Sequence, residues 1–266
     1  MYKKLKTNKY KNKIKHRNKK TIKNRIQKYK MQNTIHESEL EDIYWQYIYE
    51  GVKEYEVRVN DDKRQKIQEG DIWKFNNKSN PQLPLLETLV IKRKEYKSFN
   101  NAIKKTGFKN LLPQVQSVEE AIETYENFNN GKYKTDAIIH GVVMFKLQLI
   151  HTIDIQNPKE CPTFDYIESK IKTVEGRKYA LRYHNLKPNN IIRFVCGDNI
   201  LMKTIKAIRL YKTLEDYLNF EGFKNVLPCV DTFEKALKLY NTWSKEKDRN
   251  NLMDKYGYGF MAIELK

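Results

Sequence analysis

A lysine, a glutamate and an arginine occur twice at one spacing, as Lys53-x-x-Glu56-x-Arg58 and Lys172-x-x-Glu175-x-Arg177. Arginine meets a phosphate or carboxylate with a planar fork, and lysine meets it as a point charge. The glutamate between them accepts from an exocyclic amine or orients the lysine. The same set used for catalysis requires a lysine of depressed pKa beside a nucleophile or base. A third reading is a solvated strand face with a structural Glu–Arg pair. Residues i and i+3 of a regular strand point to opposite faces. Lys53 and Glu56 therefore converge only if the lysine precedes the strand or a bulge intervenes. Thr173 follows Lys172 where Glu54 follows Lys53, so the two copies have diverged.

The elements that position these residues are also duplicated. Gly107-Phe-Lys-Asn-Leu-Leu-Pro113 is answered by Gly222-Phe-Lys-Asn-Val-Leu-Pro228, at an offset of 222 − 107 = 115. A helix pattern follows each, Ser117-Val-Glu-Glu-Ala-Ile-Glu-Thr-Tyr125 and Thr232-Phe-Glu-Lys-Ala-Leu-Lys-Leu-Tyr240. Upstream, Gly70-Asp-Ile-Trp-Lys-Phe75 is answered by Asn189-Asn-Ile-Ile-Arg-Phe194, and near the ends His140-Gly141 by Tyr258-Gly259. Five blocks in one order mean an internal duplication. A chain of 266 residues accommodates two domains of ordinary size.

Apolar spacing predicts a helix over 35–48, strands over 53–59, 72–75 and 87–93, and a helix over 98–106 capped by Ser98. Ser117 to Glu120 reads as a capping box, with Asp231 to Glu234 as its shifted counterpart. The spans 129–135 and 250–258 read as loops, which makes Tyr133, Tyr256 and Tyr258 candidates for base stacking. The span 137–149 reads as a long closing strand. In the second copy, strands are expected over 172–179, 191–195, 201–210 and 260–265, with a hairpin turn at Gly197-Asp198-Asn199. The join is expected near Gln156-Asn-Pro158. Such units, too short for parallel crossovers, imply an α+β fold of small antiparallel β-barrels with flanking helices.

The net charge is +18, and residues 1–30 hold fourteen Lys or Arg and no acid, which leaves 18 − 14 = +4 for the remainder. The segment 1–34 reads as a disordered basic arm, with Lys3, Lys4, Lys19, Lys20 and Arg25 among its phosphate-contacting candidates. It lacks the apolar centre of a secretory signal. No run of 18 apolar residues occurs, so a soluble intracellular protein, cytoplasmic or nuclear, is expected with no membrane partner. Cys161, Cys196 and Cys229 match no metal-knuckle spacing and are expected as buried, reduced thiols. The histidines form no ligand-spaced pair, and no Walker loop, dinucleotide fingerprint or nucleophile elbow occurs. No metal, cofactor or catalytic residue is assigned.

Taken together, Gly-x-Lys-x-x-Glu-x-Arg, Gly-Asp-x-Ile/Trp-x-Phe, Gly-Phe-x-x-x-Leu-Pro, a capped helix ending in Tyr and a closing strand resemble the ASCH domain of the PUA-like superfamily. The resemblance covers residues 38–154 and again 159–266. It implies two tandem barrels, each with a cleft beside the Lys-x-x-Glu-x-Arg strand that binds RNA or a modified base. One bacterial branch resembles an amidohydrolase of acetylated cytidine, with a Thr three places after the Lys. Glu56 and Glu175 hold that place here. The expectation is a nucleic-acid-binding protein, RNA in preference to DNA. Its expected contacts are Lys53, Glu56, Arg58, Tyr133, Lys172, Thr173, Glu175, Arg177 and Tyr258. The alternatives are a hydrolase of a modified nucleoside or RNA, and a structural protein whose tail coats nucleic acid.

Overall fold

The computed structural model describes residues 33–266, so all but the last two residues of the expected basic arm lie outside the described residues. The first half runs β1 (Ile35–Leu40), α1 (Asp42–Tyr49), β2 (Tyr55–Val59), α2 (Asp62–Gln65), β3 (Ile72–Asn77), β4 (Leu86–Tyr96), α3 (Phe99–Thr106), α4 (Phe108–Leu111), α5 (Val118–Asn127), α6 (Lys132–His140) and β5 (Val142–Asp154). The second runs α7 (Thr163–Glu168), β6 (Val174–Lys178), a 3-10 turn (Leu181–Tyr183), β7 (Ile191–Cys196), β8 (Asn199–Tyr211), α8 (Leu214–Glu221), α9 (Phe223–Val226), α10 (Phe233–Trp243), α11 (Glu246–Tyr256) and β9 (Phe260–Leu265).

Strand β5 organises the sheet. Val142 to Leu149 pairs antiparallel with β4, and Val142 to Lys146 pairs with β2 on its other side. Ile150 to Asp154 then pairs parallel with β7, from Ile150 opposite Ile191 to Asp154 opposite Val195. The nine strands make one sheet in the order β1-β3-β4-β5-β7-β8-β9-β6, with β2 attached to β5. Pairing repeats itself: β2-β5-β4-β3-β1 in the first half and β6-β9-β8-β7-β5 in the second. The tail of β5 therefore takes the place in the second half that β1 takes in the first.

This corrects the expectation of two small, partly closed antiparallel barrels. The sheet is open and continuous, and its central pairing is parallel. The apolar run of β5 carries the chain from one half into the other without a turn. The Gln156-Asn-Pro158 break comes after the crossing has been made. Val142 and Met144 pack into one apolar cluster, while Val143, Phe145, Leu147 and Leu149 pack into another. In β9, Phe260 and Ala262 face one cluster, and Met261, Ile263 and Leu265 another. Burial on both faces is why these two strands read as near-continuous apolar runs.

Several local expectations are corrected too. The span 35–48 is a strand followed by a helix. His36 contacts Asp71 at 2.9 Å and Ser38 accepts from Trp73 Nε1 at 3.0 Å, so tertiary partners fix the strand. The span 129–135 contains a turn and the start of α6. Asn129, Asn130 and Gly131 are left-handed (φ 54°, 56° and 81°) and use up the turn signal in three residues. Helix α6 then runs to His140 and absorbs the expected start of the closing strand. The expected loop at 250–258 lies mostly in α11. Ser98 and Ser117 cap as expected, accepting from Asn101 N and Glu120 N. In the second copy the cap is Thr232, which accepts from Lys235 N, and not Asp231. Cys161 and Cys229 form a disulfide with Cα atoms 5.2 Å apart, against the expectation of reduced thiols. Cys196 is a free thiol. No helix among the described residues is long and apolar enough to cross a membrane.

Candidate functional site

Lys53 and Lys172 sit two residues ahead of β2 and β6, which answers the geometric objection to their meeting the glutamates. Their backbone N–H groups donate to Tyr47 O at 3.0 Å and Tyr166 O at 2.9 Å, fixing the entry of each strand. Each side chain then turns inward. Lys53 Nζ lies 3.3 Å from Glu56 Oε2, and Lys172 Nζ lies 3.2 Å from Glu175 Oε2. Arg58 Nε lies 2.5 Å from Glu56 Oε1, and Arg177 Nη2 lies 2.9 Å from Glu175 Oε1. The structure brings each Lys–Glu–Arg set together in the same arrangement.

The doubled heptapeptide explains how the lysines are held. Lys53 Nζ donates to Leu111 O at 2.6 Å, and Lys172 Nζ donates to Val226 O. These carbonyls belong to the fifth residue of each Gly-Phe-Lys-Asn-Leu/Val-Leu-Pro segment. Gly107 and Gly222 open the segments at φ 86° and 75°, a conformation that favours glycine. The asparagines, Asn110 and Asn225, donate back to Thr106 O and Glu221 O, both at 2.8 Å. The motif lysines, Lys109 and Lys224, tie down Val115 O and Val230 O beyond the proline. The segment is thus a rigid single turn that aims one carbonyl at a buried ammonium.

Both lysines are 3% exposed, and Glu56 and Glu175 are 4% and 6% exposed. Burial pushes the Lys53 and Lys172 ammonium groups below the usual lysine range, with Glu56 and Glu175 opposing. Burial alone would raise the Glu56 carboxyl. Arg58 and Lys53 outweigh it and hold the group below the usual carboxylate range. Burial disfavours the Arg58 cation, but Glu56 and Tyr133 more than compensate.

Each set forms part of a cavity wall. The first cavity, of about 430 Å³, is lined by Lys53, Glu56, Arg58, Tyr44, Tyr125 and Tyr133 among others. The second, of about 450 Å³, is lined by Lys172, Glu175, Arg177, Tyr240, Trp243 and Ser244 among others. A third, of about 470 Å³, lies across the β5–β7 seam and shares Arg177, Arg182 and Tyr183 with the second. Among the described residues no group of three or more His, Cys, Asp or Glu side chains is placed to hold a metal ion.

Of the other expected site residues, Tyr133 joins the first set, its hydroxyl accepting from Arg58 Nη1 at 3.3 Å. Thr173 is placed by its backbone, donating to Asn225 O and accepting from Leu265 N, and it is not in the second cavity's wall. Tyr258 packs edge-on against Tyr179 at 5.9 Å, also outside that wall. Lys3, Lys4, Lys19, Lys20 and Arg25 lie outside the described residues. Sequence reasoning missed Trp243 and Ser244. Trp243 is half exposed at the cavity and corresponds to Phe128 at 243 − 115 = 128. An aromatic kept at one place in both copies was the signal available.

No curated protein matches the chain. Among solved structures it is similar to the crystal structure of the hypothetical protein PH0355, at 30% identity and a TM-score of 0.38, over 44% of this chain and 99% of that one. It is also similar to the solution NMR structure of protein PF0455 from Pyrococcus furiosus, at 28% identity and a TM-score of 0.37, over 44% of this chain and 97% of that one. The ASCH family model matches residues 39–151, the span that holds Lys53, Glu56, Arg58 and the first cavity. Residues 39–151 of this chain are an ASCH domain.

Proposed function

We propose that the chain binds nucleic acid, RNA in preference to DNA, and that its second half is a further ASCH-like unit. Each unit admits a base or nucleoside into its cavity, and the basic arm supplies affinity through phosphate contacts. The ASCH domain has a PUA-like fold, a class often linked to RNA binding.

The observation that carries this reading is the same Lys–Glu–Arg set, its lysine and glutamate buried, in the walls of two like-sized cavities. Buried ion pairs are a poor route to stability, because desolvation offsets most of their attraction. A set kept twice at a cavity wall is better explained by what the cavity holds. Glu56 and Glu175 each keep acceptor capacity for an amine, and the rings of Tyr44, Tyr133, Tyr240 and Trp243 offer apolar walls for a base. The lysines are engaged by a carbonyl and a carboxylate, which favours positioning over nucleophilic attack.

Trp243→Ala tests the reading at an exposed position that carries little of the fold. Base stacking contributes about 1–3 kcal/mol. RNA affinity should fall by roughly fivefold to a hundredfold with the melting temperature unchanged. Deleting residues 1–30 should weaken binding and flatten its salt slope by about 0.7 for each phosphate that is no longer neutralised. Absence of binding to short RNA and single-stranded DNA at about 50 mM salt by the intact protein would sink the proposal.

A further inference from the structure

The two halves differ at one pair of positions, and the difference changes what each cavity can recognise. In the first half, Val57 on β2 and Ala102 on α3 belong to one apolar cluster and are both fully buried. In the second, the corresponding positions are Gly176 (57 + 119) and Tyr217 (102 + 115). The large and small residues have exchanged sides. A Cβ on Gly176 would overlap Tyr217 Oη and lie 2.7 Å from Tyr240 Oη, so Tyr217 fits only because residue 176 is glycine.

The exchange settles the state of the tyrosine that both cavities share. Tyr240 lines the second cavity, and its hydroxyl is paired with Tyr217 Oη at 3.1 Å. Tyr125, at 240 − 115, lines the first cavity, and the residue that stands where Tyr217 does is Ala102, which has no hydroxyl. Tyr125 is 2% exposed, and among the described residues its hydroxyl has no hydrogen-bond partner. A buried donor left unmet carries a desolvation penalty that a ligand acceptor would relieve.

Resting on the nucleic-acid reading, we infer that the two cavities read different base edges. In the first, the Tyr125 hydroxyl donates to the ligand while Glu56 accepts from it. An acceptor next to an exocyclic amine is the Watson–Crick edge of adenine or cytosine. Uracil offers a carbonyl and an imino proton, and has no amine for Glu56. In the second cavity the Tyr240 hydroxyl already has Tyr217 Oη as its hydrogen-bond partner, so it is not left unmet as the Tyr125 hydroxyl is. The unmet hydroxyl in that cavity's wall is that of Ser244, buried and without a partner among the described residues. A serine hydroxyl donates or accepts by rotation and does not impose the same edge. Burial and the Glu56 charge push the Tyr125 phenol well above its ordinary value, which keeps the proton in place at neutral pH.

The experiment is calorimetric titration of the full chain with adenosine, cytidine and uridine 5′-monophosphates, using wild type, Tyr125→Phe and Tyr240→Phe, with a melting curve for each. Wild type should bind the adenine and cytosine nucleotides about tenfold more tightly than the uracil nucleotide. Tyr125→Phe should reduce that ratio to about twofold without lowering the melting temperature. Tyr240→Phe should lower the melting temperature and leave the ratio intact. Wild-type binding with the ratio unchanged in Tyr125→Phe overturns the inference and spares the general reading. A melting temperature lowered by Tyr125→Phe as much as by Tyr240→Phe also overturns it, since the hydroxyl would then have an internal partner. No binding of any nucleotide by wild type removes the general reading and the inference with it.

Discussion

The exchange of Val57 and Ala102 for Gly176 and Tyr217 makes a quantitative forecast about folding. Gly176→Val inserts a branched side chain where even its Cβ overlaps Tyr217 Oη. Tyr217 is fully buried, so its ring cannot swing into solvent. Overpacking of this kind costs about 1–3 kcal/mol. Tyr217→Ala removes a buried ring and the hydroxyl that Tyr240 uses at 3.1 Å, a change of about 3–5 kcal/mol for a large aromatic. Without coupling the double variant would lose about 4–8 kcal/mol, the sum of those two ranges. In the double variant, however, valine fills part of the space vacated by the ring, and the pair becomes the Val and Ala that the first apolar cluster holds at these positions. We expect a coupling of about 2 kcal/mol in favour of the double variant. In a unit of this size that corresponds to about 8–16 °C in melting temperature relative to additivity. The assay is a double-mutant cycle by urea unfolding, followed by tyrosine fluorescence and far-UV circular dichroism. Additivity within about 0.5 kcal/mol would refute the claim that the two positions exchange volume.

Lys172→Met should cost about 3–5 kcal/mol in urea unfolding, because it strips a buried carboxylate and the Val226 carbonyl of one shared donor. His151 sits at the β5–β7 seam against Asn190 Oδ1 at 3.2 Å, and burial pushes its imidazole down to about 4. The folded value is below the unfolded one, so the folded state binds fewer protons between about pH 6.5 and 4. Stability is full above that window and falls by up to about 3 kcal/mol as pH drops through it. His151→Gln should flatten the difference in melting temperature between about pH 7.5 and 4.5. The Cys161–Cys229 bond closes a loop across a sequence separation of 68 residues. It should contribute about 4 kcal/mol by loop entropy. Dithiothreitol should therefore lower the melting temperature of wild type and not that of Cys229→Ser. A fragment of residues 159–266 leaves the β7 edge without Ile150 to Asp154 and should aggregate, whereas residues 148–266 should stay monomeric in gel filtration.

What was legible in the sequence is what the duplication printed twice. The Lys-x-x-Glu-x-Arg strands, the Gly-Phe-Lys-Asn segments and the capped helices could be cross-checked between copies, and their elements form where spacing put them. The role of Leu111 O and Val226 O was not legible, because a backbone carbonyl leaves no mark on residue type. Strand β1 was hidden by polar residues whose partners, Asp71 and Trp73, lie 35 positions away. Strand β5 reads as a single apolar run, and nothing in such a run marks where one half yields to the next. The disulfide joins cysteines with no diagnostic spacing. The exchange at 57/102 and 176/217 appears in the sequence only as four ordinary residues. It becomes meaningful once Gly176 is known to lie against the Tyr217 hydroxyl.

The single strand that serves both halves also sets a gauge. A flexible tether would let two binding units search independently, and their joint affinity would depend weakly on the distance between ligand sites. Here the span between the two cavities is fixed by a continuous backbone ladder. A polymer that fills both must present its two recognised units at one separation. Spacers shorter than that span should bind through one cavity alone, and longer ones should give up the gain progressively. Measured avidity against spacer length should therefore show a sharp optimum, and the chain would act on a polymer as a caliper.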